Sequence, residues 1–175
     1  MAVGNLEFIK SASGTSVSSL SVTDCFSANY DVYKIVLTEF EIITAGAVGR
    51  LRLLDSGGTV ISASEYDYAN LDMPSFTSFT EDRSTNATFI NRFTGDTRNI
   101  YETGGMALYI YNPYDSSSYT FTQQQNTYFN NGNGGQGTKG IGVHKSAEQI
   151  SGINFLASSG NIENIAVSVY GLASN

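Results

Sequence analysis

The sequence predicts an all-β fold: a two-sheet antiparallel β-sandwich, jelly-roll-like, forming one domain over residues 1–175. Three observations lead there. Charged residues make up only 14% of the chain, while 11 Tyr and 10 Phe are interleaved with Gly, Ser, Thr and Asn, a composition typical of turn-rich β structure. Apolar residues alternate with polar ones over short runs and never settle into a long helical period. Turn-forming Gly, Asn and Pro punctuate these runs at short intervals. Nine or ten short strands are expected, and 175 residues suffice for one sizeable core without staples.

In chain order, residues 6–10 and 17–22 are two short strands on either side of Ser13-Gly14-Thr15, and 24–31 is a loop. Residues 33–43 (YKIVLTEFEII) are the longest β-favouring run. Residues 45–49 turn the chain. Strands at 51–54 and 59–63 flank Asp55-Ser56-Gly57-Gly58, whose paired glycines give the clearest hairpin signal. From 66 to 83 the alternation fades around Pro74, which predicts an excursion across a sheet edge. Extended structure resumes at 88–93 and 106–111; Asn112-Pro113 stops the latter, because proline cannot donate to a ladder. A strand at 119–123 precedes the glycine-rich segment 130–140, read as a mobile surface loop, and residues 146–149 are expected to form one helical turn. The closing stretch 149–172 reads as two strands joined by Ser158-Ser159-Gly160-Asn161, an antiparallel hairpin.

The net charge of −7 opposes a nonspecific grip on nucleic acid or an anionic membrane. The single Cys25 rules out an intrachain disulfide framework. No apolar run is long enough to span a bilayer, and the N-terminus lacks the features of a signal peptide, so synthesis in a cytoplasm is expected. The sequon Asn86-Ala87-Thr88 is then accidental.

Groups that could carry chemistry are sparse. Gly132-Asn133-Gly134-Gly135-Gln136-Gly137 satisfies the dinucleotide-binding pattern, but no helix-forming run follows it, so no cofactor is expected. His144 is the sole histidine, no Ser lies in a nucleophile elbow, and Cys25 has no catalytic signature; no catalytic residue or metal site is assigned. Carboxylates gather at Glu65, Asp67 and Asp72 and at Glu81 and Asp82, a set open to acid–base work, to calcium or to plain solvation. Tyrosines recur near turns. Tyr66, Tyr68, Tyr111, Tyr114 and Tyr128 are the candidate contacts for a glycan or a partner, since an amphipathic ring offers contact area at small entropic cost.

One resemblance covers most of residues 30–173. Ile150-Ser151-Gly152-Ile153-Asn154-Phe155, then Ser159-Gly160-Asn161-Ile162, and finally Val169-Tyr170-Gly171-Leu172 resemble the ending of a group of tailed-bacteriophage virion proteins. Earlier pieces agree in order: Tyr33-Lys34, Leu51-Arg52-Leu53-Leu54-Asp55, Ser64-Glu65-Tyr66-Asp67-Tyr68, and the run from Leu108 to Pro113 ahead of Tyr119. The chain departs from that pattern at Asn164-Ile165, where a glycine is expected, and it has no heptad stalk. The resemblance implies a non-enzymatic jelly-roll module, commonly homotrimeric, that belongs to the tail fibre apparatus or decorates the capsid. It implies location in the virion, contact with other virion proteins, and no membrane insertion. The alternative is a receptor-binding module that recognises host surface glycan during attachment.

Overall fold

The computed structural model describes residues 6–91, 94–95, 102, 104–130 and 133–173. Among the described residues twelve strands follow one another, two or three more than expected: β1 (Leu6–Val17), β2 (Ser19–Val22), β3 (Val32–Glu41), β4 (Gly49–Asp55), β5 (Tyr66–Pro74), β6 (Thr80–Ala87), β7 (Ile90–Asn91), β8 (Gly105–Tyr111), β9 (Thr120–Asn130), β10 (Gly134–His144), β11 (Ile150–Ala157) and β12 (Ile162–Leu172). Eight form a large antiparallel sheet in the order β1-β12-β3-β8-β9-β10-β5-β6, and four form a small one in the order β2-β11-β4-β7. The two sheets make a β-sandwich, as expected, and the described residues contain no helix.

Alternation explains the core. In β3, Tyr33, Ile35 and Leu37 are buried, and the same row continues through Met106, Leu108 and Ile110 of β8 and Ile165, Val167 and Val169 of β12. Opposite them lie Leu51 and Leu53 of β4 and Ile153 and Phe155 of β11. Successive strand residues point to opposite faces, so every second residue of these runs enters the space between the sheets.

The closing stretch forms both expected strands, yet they are not a hairpin. β11 lies between β2 and β4 in the small sheet, whereas β12 lies between β1 and β3 in the large one. The link is bound to the connection between β3 and β4: Ser158 N donates to Val48 O, Val48 N donates to Ser158 Oγ, and Gly160, at φ 69°, leaves room for Thr44. Two strongly apolar rows bury more surface facing each other across the core than lying side by side in one sheet.

Segment 130–140 also departs from expectation. Apart from 131–132, which lie outside the described residues, it is not a surface loop. Most of it belongs to β10, which runs between β9 and β5 with Gly140 paired to Gln124 on one side and Asn70 on the other. The glycines mark close approach: a Cβ on Gly140 would stand 1.8 Å from Asn70 Oδ1, and one on Gly142 2.4 Å from Ile90 Cδ1.

Smaller corrections follow the same logic. Residues 66–83 are not an excursion but the antiparallel pair β5–β6 at the sheet edge. β1 runs straight through Ser13-Gly14-Thr15 and turns only after Ser16, at φ 53°. The Asp55 carboxylate accepts from Gly57 N and Thr59 N and holds the turn, but residues 59–63 contribute only an isolated bridge from Val60 to Leu54. In place of 88–93 only Ile90–Asn91 is a strand, residues 92–93 lying outside those described, and 146–149 form no helical turn.

Candidate functional site

The alternation of β9 and β10 is inverted relative to β3, β8 and β12 of the large sheet. Thr120, Thr122, Gln124 and Asn126 point into the sandwich and are buried, while Phe121 and Phe129 point outward. β10 repeats the pattern: Thr138 and His144 are buried, and Ile141 is 61% exposed. Phe121, also on the outer face, is 46% exposed. Antiparallel pairing sets the two rows side by side, with Ile141 opposite Gln123 and Val143 opposite Phe121, so these side chains form one surface.

That surface is the floor of a concavity of about 710 Å³ spanning five strands. Tyr111 of β8 bounds it on one side, and its hydroxyl lies 3.2 Å from Gln123 Oε1 on β9. β5 and β6 form the other wall with Asp67, Ala69, Arg83 and Thr85. The groove continues past Ile141 into a shallower depression of about 430 Å³ flanked by Leu71, Lys139 and Glu81. Its polar groups are placed by local contacts. Asp67 accepts from Lys145 Nζ at 2.8 Å and from Asn86 N at 2.8 Å; the Lys145 contact first, then the Asn86 amide, hold this carboxyl below the usual range. Arg83 reaches Glu81 at 3.5 Å on the exposed edge. An apolar floor between polar walls suits a planar or amphipathic contact, such as an aromatic ring, a sugar face or a strand of another chain.

The five tyrosines singled out from the sequence do not converge here. Tyr111 lines the groove, and Tyr68 contributes at its wall but is half-buried and packs against the core. Tyr66 is fully buried: its hydroxyl accepts from Leu53 N at 3.0 Å and donates to Ile61 O at 3.2 Å, and burial raises its ionisation far above the ordinary value. Tyr128 is buried as well. Tyr114 lines a separate depression beside Tyr30 and Asp115. Tyr66 and Tyr128 are therefore corrected from surface contacts to core residues. Their strands orient them inward, a choice made by sheet pairing and not by residue type. Phe121, Ile141 and Val143 were missed; the available signal was Ile141 and Val143, two residues apart among glycines, and Phe121 alternating with Thr120 and Thr122.

Cys25, Asp72, Asp82 and Glu81 are each engaged in separate places, while His144 meets Glu65. Cys25 is buried, its Sγ donates to Val22 O at 3.3 Å, and burial pushes the thiol up to about 12. Asp72 accepts from Thr138 Oγ1 inside the sandwich, Asp82 accepts from Asn91 Nδ2, and Glu81 is taken by Arg83. His144 is buried at the end of β10, with Nε2 3.1 Å from Glu65 Oε2.

The chain matches no protein-family model and no curated protein. Among solved structures it is similar to the CBM2 module of the evolved Dit of Lactobacillus casei BL23 phage J-1, at 10% identity and a TM-score of 0.24, over 99% of this chain and 82% of that one. It is also similar to a mutant VP2 protein of infectious bursal disease virus, at 12% identity and a TM-score of 0.13, over 98% of this chain and 36% of that one. Likenesses this slight assign neither a family nor a ligand.

Proposed function

We propose that this chain is a non-enzymatic structural module of a tailed-bacteriophage virion, part of the tail fibre apparatus or a capsid decoration, which works by adhesion and assembles with copies of itself, as a trimer. The observation that carries the reading is the inverted outer face of β9 and β10. A sheet that hides Thr122 and Gln124 while presenting Phe121 and Ile141 to solvent leaves apolar area uncovered in the lone chain, and contiguous apolar area of this kind marks contact surfaces in soluble proteins. The sequence resemblance supplies the virion setting. Made in the host cytoplasm, the protein passes to the particle when this face is covered.

Native mass measurement at micromolar concentration tests the assembly, with Phe121→Ser/Ile141→Ser as the variant. A trimer that falls to monomer in the variant, together with detection of the chain in purified particles, supports the reading. A strict monomer absent from particles removes it.

A second reading has its own observation: the groove joins an aromatic wall at Tyr111 to Asp67, Gln123 and Arg83, the pairing of ring face and hydrogen-bonding groups that suits a sugar. Under it the module binds host surface glycan. A glycan array run with and without calcium decides, and silence in both conditions eliminates this reading.

A further inference from the structure

At the end of the sandwich where β5 begins and β10 stops, three segments bring together the side chains of Glu65, His144 and Glu148. Tyr66 and His144 are register partners, and Lys145 N donates to Glu65 O at 2.8 Å, which fixes Glu65 beside the imidazole. Glu148 stands four residues after His144, on the connection into β11. His144 Nε2 is 3.1 Å from Glu65 Oε2 and 3.7 Å from Glu148 Oε1, and the three ligand atoms all lie within 4.8 Å of one another.

The donor atoms of this cluster converge from separate segments of the chain. The imidazole is fully buried; one ring nitrogen faces two carboxylates, and the other, Nδ1, has no hydrogen-bond partner among the described residues. The ring is kept in place by Tyr66, 5.0 Å away between centroids. The neighbouring ammonium does not neutralise the pair, because Lys145 Nζ is engaged by Asp67 and Asn86. The unpartnered Nδ1 lies on the other side of the ring from the carboxylates; the ligand set is Nε2 with one oxygen of each glutamate, and the two carboxylates together supply the formal charge that one divalent cation matches.

We propose that Glu65, His144 and Glu148 form a binding site for a single divalent transition-series cation of the zinc type. Metal–ligand bonds of about 2.0–2.2 Å in a tetrahedron place neighbouring ligand atoms roughly 3.3–3.6 Å apart; the two distances from Nε2 bracket that range, and the two carboxylate oxygens, within 4.8 Å of each other, reach it by rotation of the half-exposed glutamate side chains. One imidazole nitrogen with two carboxylates suits zinc or manganese better than calcium, which takes six to eight oxygens. The glutamates are 39% and 36% exposed, so the ion enters from solvent and retains water in its open position. Bound there, it ties the start of β5, the end of β10 and the approach to β11 together, a clamp from the large sheet to the small one. The site is independent of the groove and of the virion reading.

His144 being the only histidine, a ¹⁵N-labelled sample of the full chain, stripped of metal, gives one set of imidazole ring signals. Zinc titration is expected to move that set and saturate at one equivalent, to raise Tm by several degrees, and to be reversed by chelator, while millimolar magnesium leaves the signals in place. Glu65→Gln and Glu148→Gln, both half-exposed and so able to fold, are expected to weaken zinc binding about tenfold or more at unchanged metal-free Tm. Ring signals unmoved by one equivalent of zinc overturn the proposal, as do variants that bind zinc like the parent chain.

Discussion

The inner face of the large sheet has two halves that differ in what they bury. Across β12, β3 and β8 the inward row is Val167, Val169, Tyr33, Ile35, Leu37, Leu108 and Ile110; across β9, β10 and β5 it is mostly polar, with Thr122, Gln124, Asn126, Thr138, His144, Asn70 and Asp72 beside Tyr66 and Tyr128. The boundary falls between adjacent register partners, Leu108 with Gln124 and Ile110 with Thr122. Both sets are buried, so burial alone does not identify the residues that stabilise the fold. The apolar half faces β4 and β11 and gains from water exclusion. The polar half is held by side-chain bonds, such as Gln124 Nε2 to Asn70 Oδ1 at 2.9 Å, Asn70 Nδ2 to Asn91 O at 2.8 Å and Thr138 Oγ1 to Asp72 Oδ1 at 3.0 Å. It is also less completely satisfied: Thr120 Oγ1, Thr122 Oγ1, Gln124 Oε1 and Asn126 Nδ2 have no partner among the described residues. Apolar residues that would fill this half in an ordinary sandwich stand on its outer side, where they make the groove.

Three substitutions rank the halves. Leu108→Ala, in the apolar half at 0% exposure, is expected to cost about 2–5 kcal/mol in urea unfolding, through lost burial and the cavity left behind. Gly142→Ala, on the polar side, sets a Cβ 2.4 Å from Ile90 Cδ1 and 2.7 Å from Thr122 Oγ1, and overpacking of this order costs about 1–3 kcal/mol. Adding Ile90→Val removes the nearer atom, so the double variant should lose less than the sum of the single ones. Thr122→Val, which deletes a buried hydroxyl without a partner, is expected to fall within about 0.5 kcal/mol of the parent or above it, because an unsatisfied donor is replaced by a methyl group of similar shape. A Thr122→Val cost equal to that of Leu108→Ala would erase the distinction and make the polar half an equal contributor.

Legibility in the sequence follows the same division. β3, β8 and β12 alternate apolar with polar residues and were readable as strands, as were the stop at Asn112-Pro113 and the turn at Gly160. β9 was readable only at its start and β10 not at all, because alternation among Thr, Gln, Asn and Gly carries no hydropathy contrast. The groove was hidden for a further reason: Tyr111, Phe121, Ile141 and Asp67 come from four strands scattered over the chain. The Glu65–His144 contact spans 79 residues and has no local signal beyond the spacing of His144 and Glu148.

From its own residues the chain determined that it would be β throughout, where most of its apolar strands lie and where several of its turns fall, since those depend on side-chain shape, period-two patterning and backbone freedom within a few neighbours. Tertiary structure alone decided that β11 and β12 lie in opposite sheets, that a glycine-rich segment runs through the middle of one of them, and that Phe121 and Ile141 face outward. Each of these depends on which strand lies beside which, and pairing between distant segments is set by the total surface the two sheets bury together.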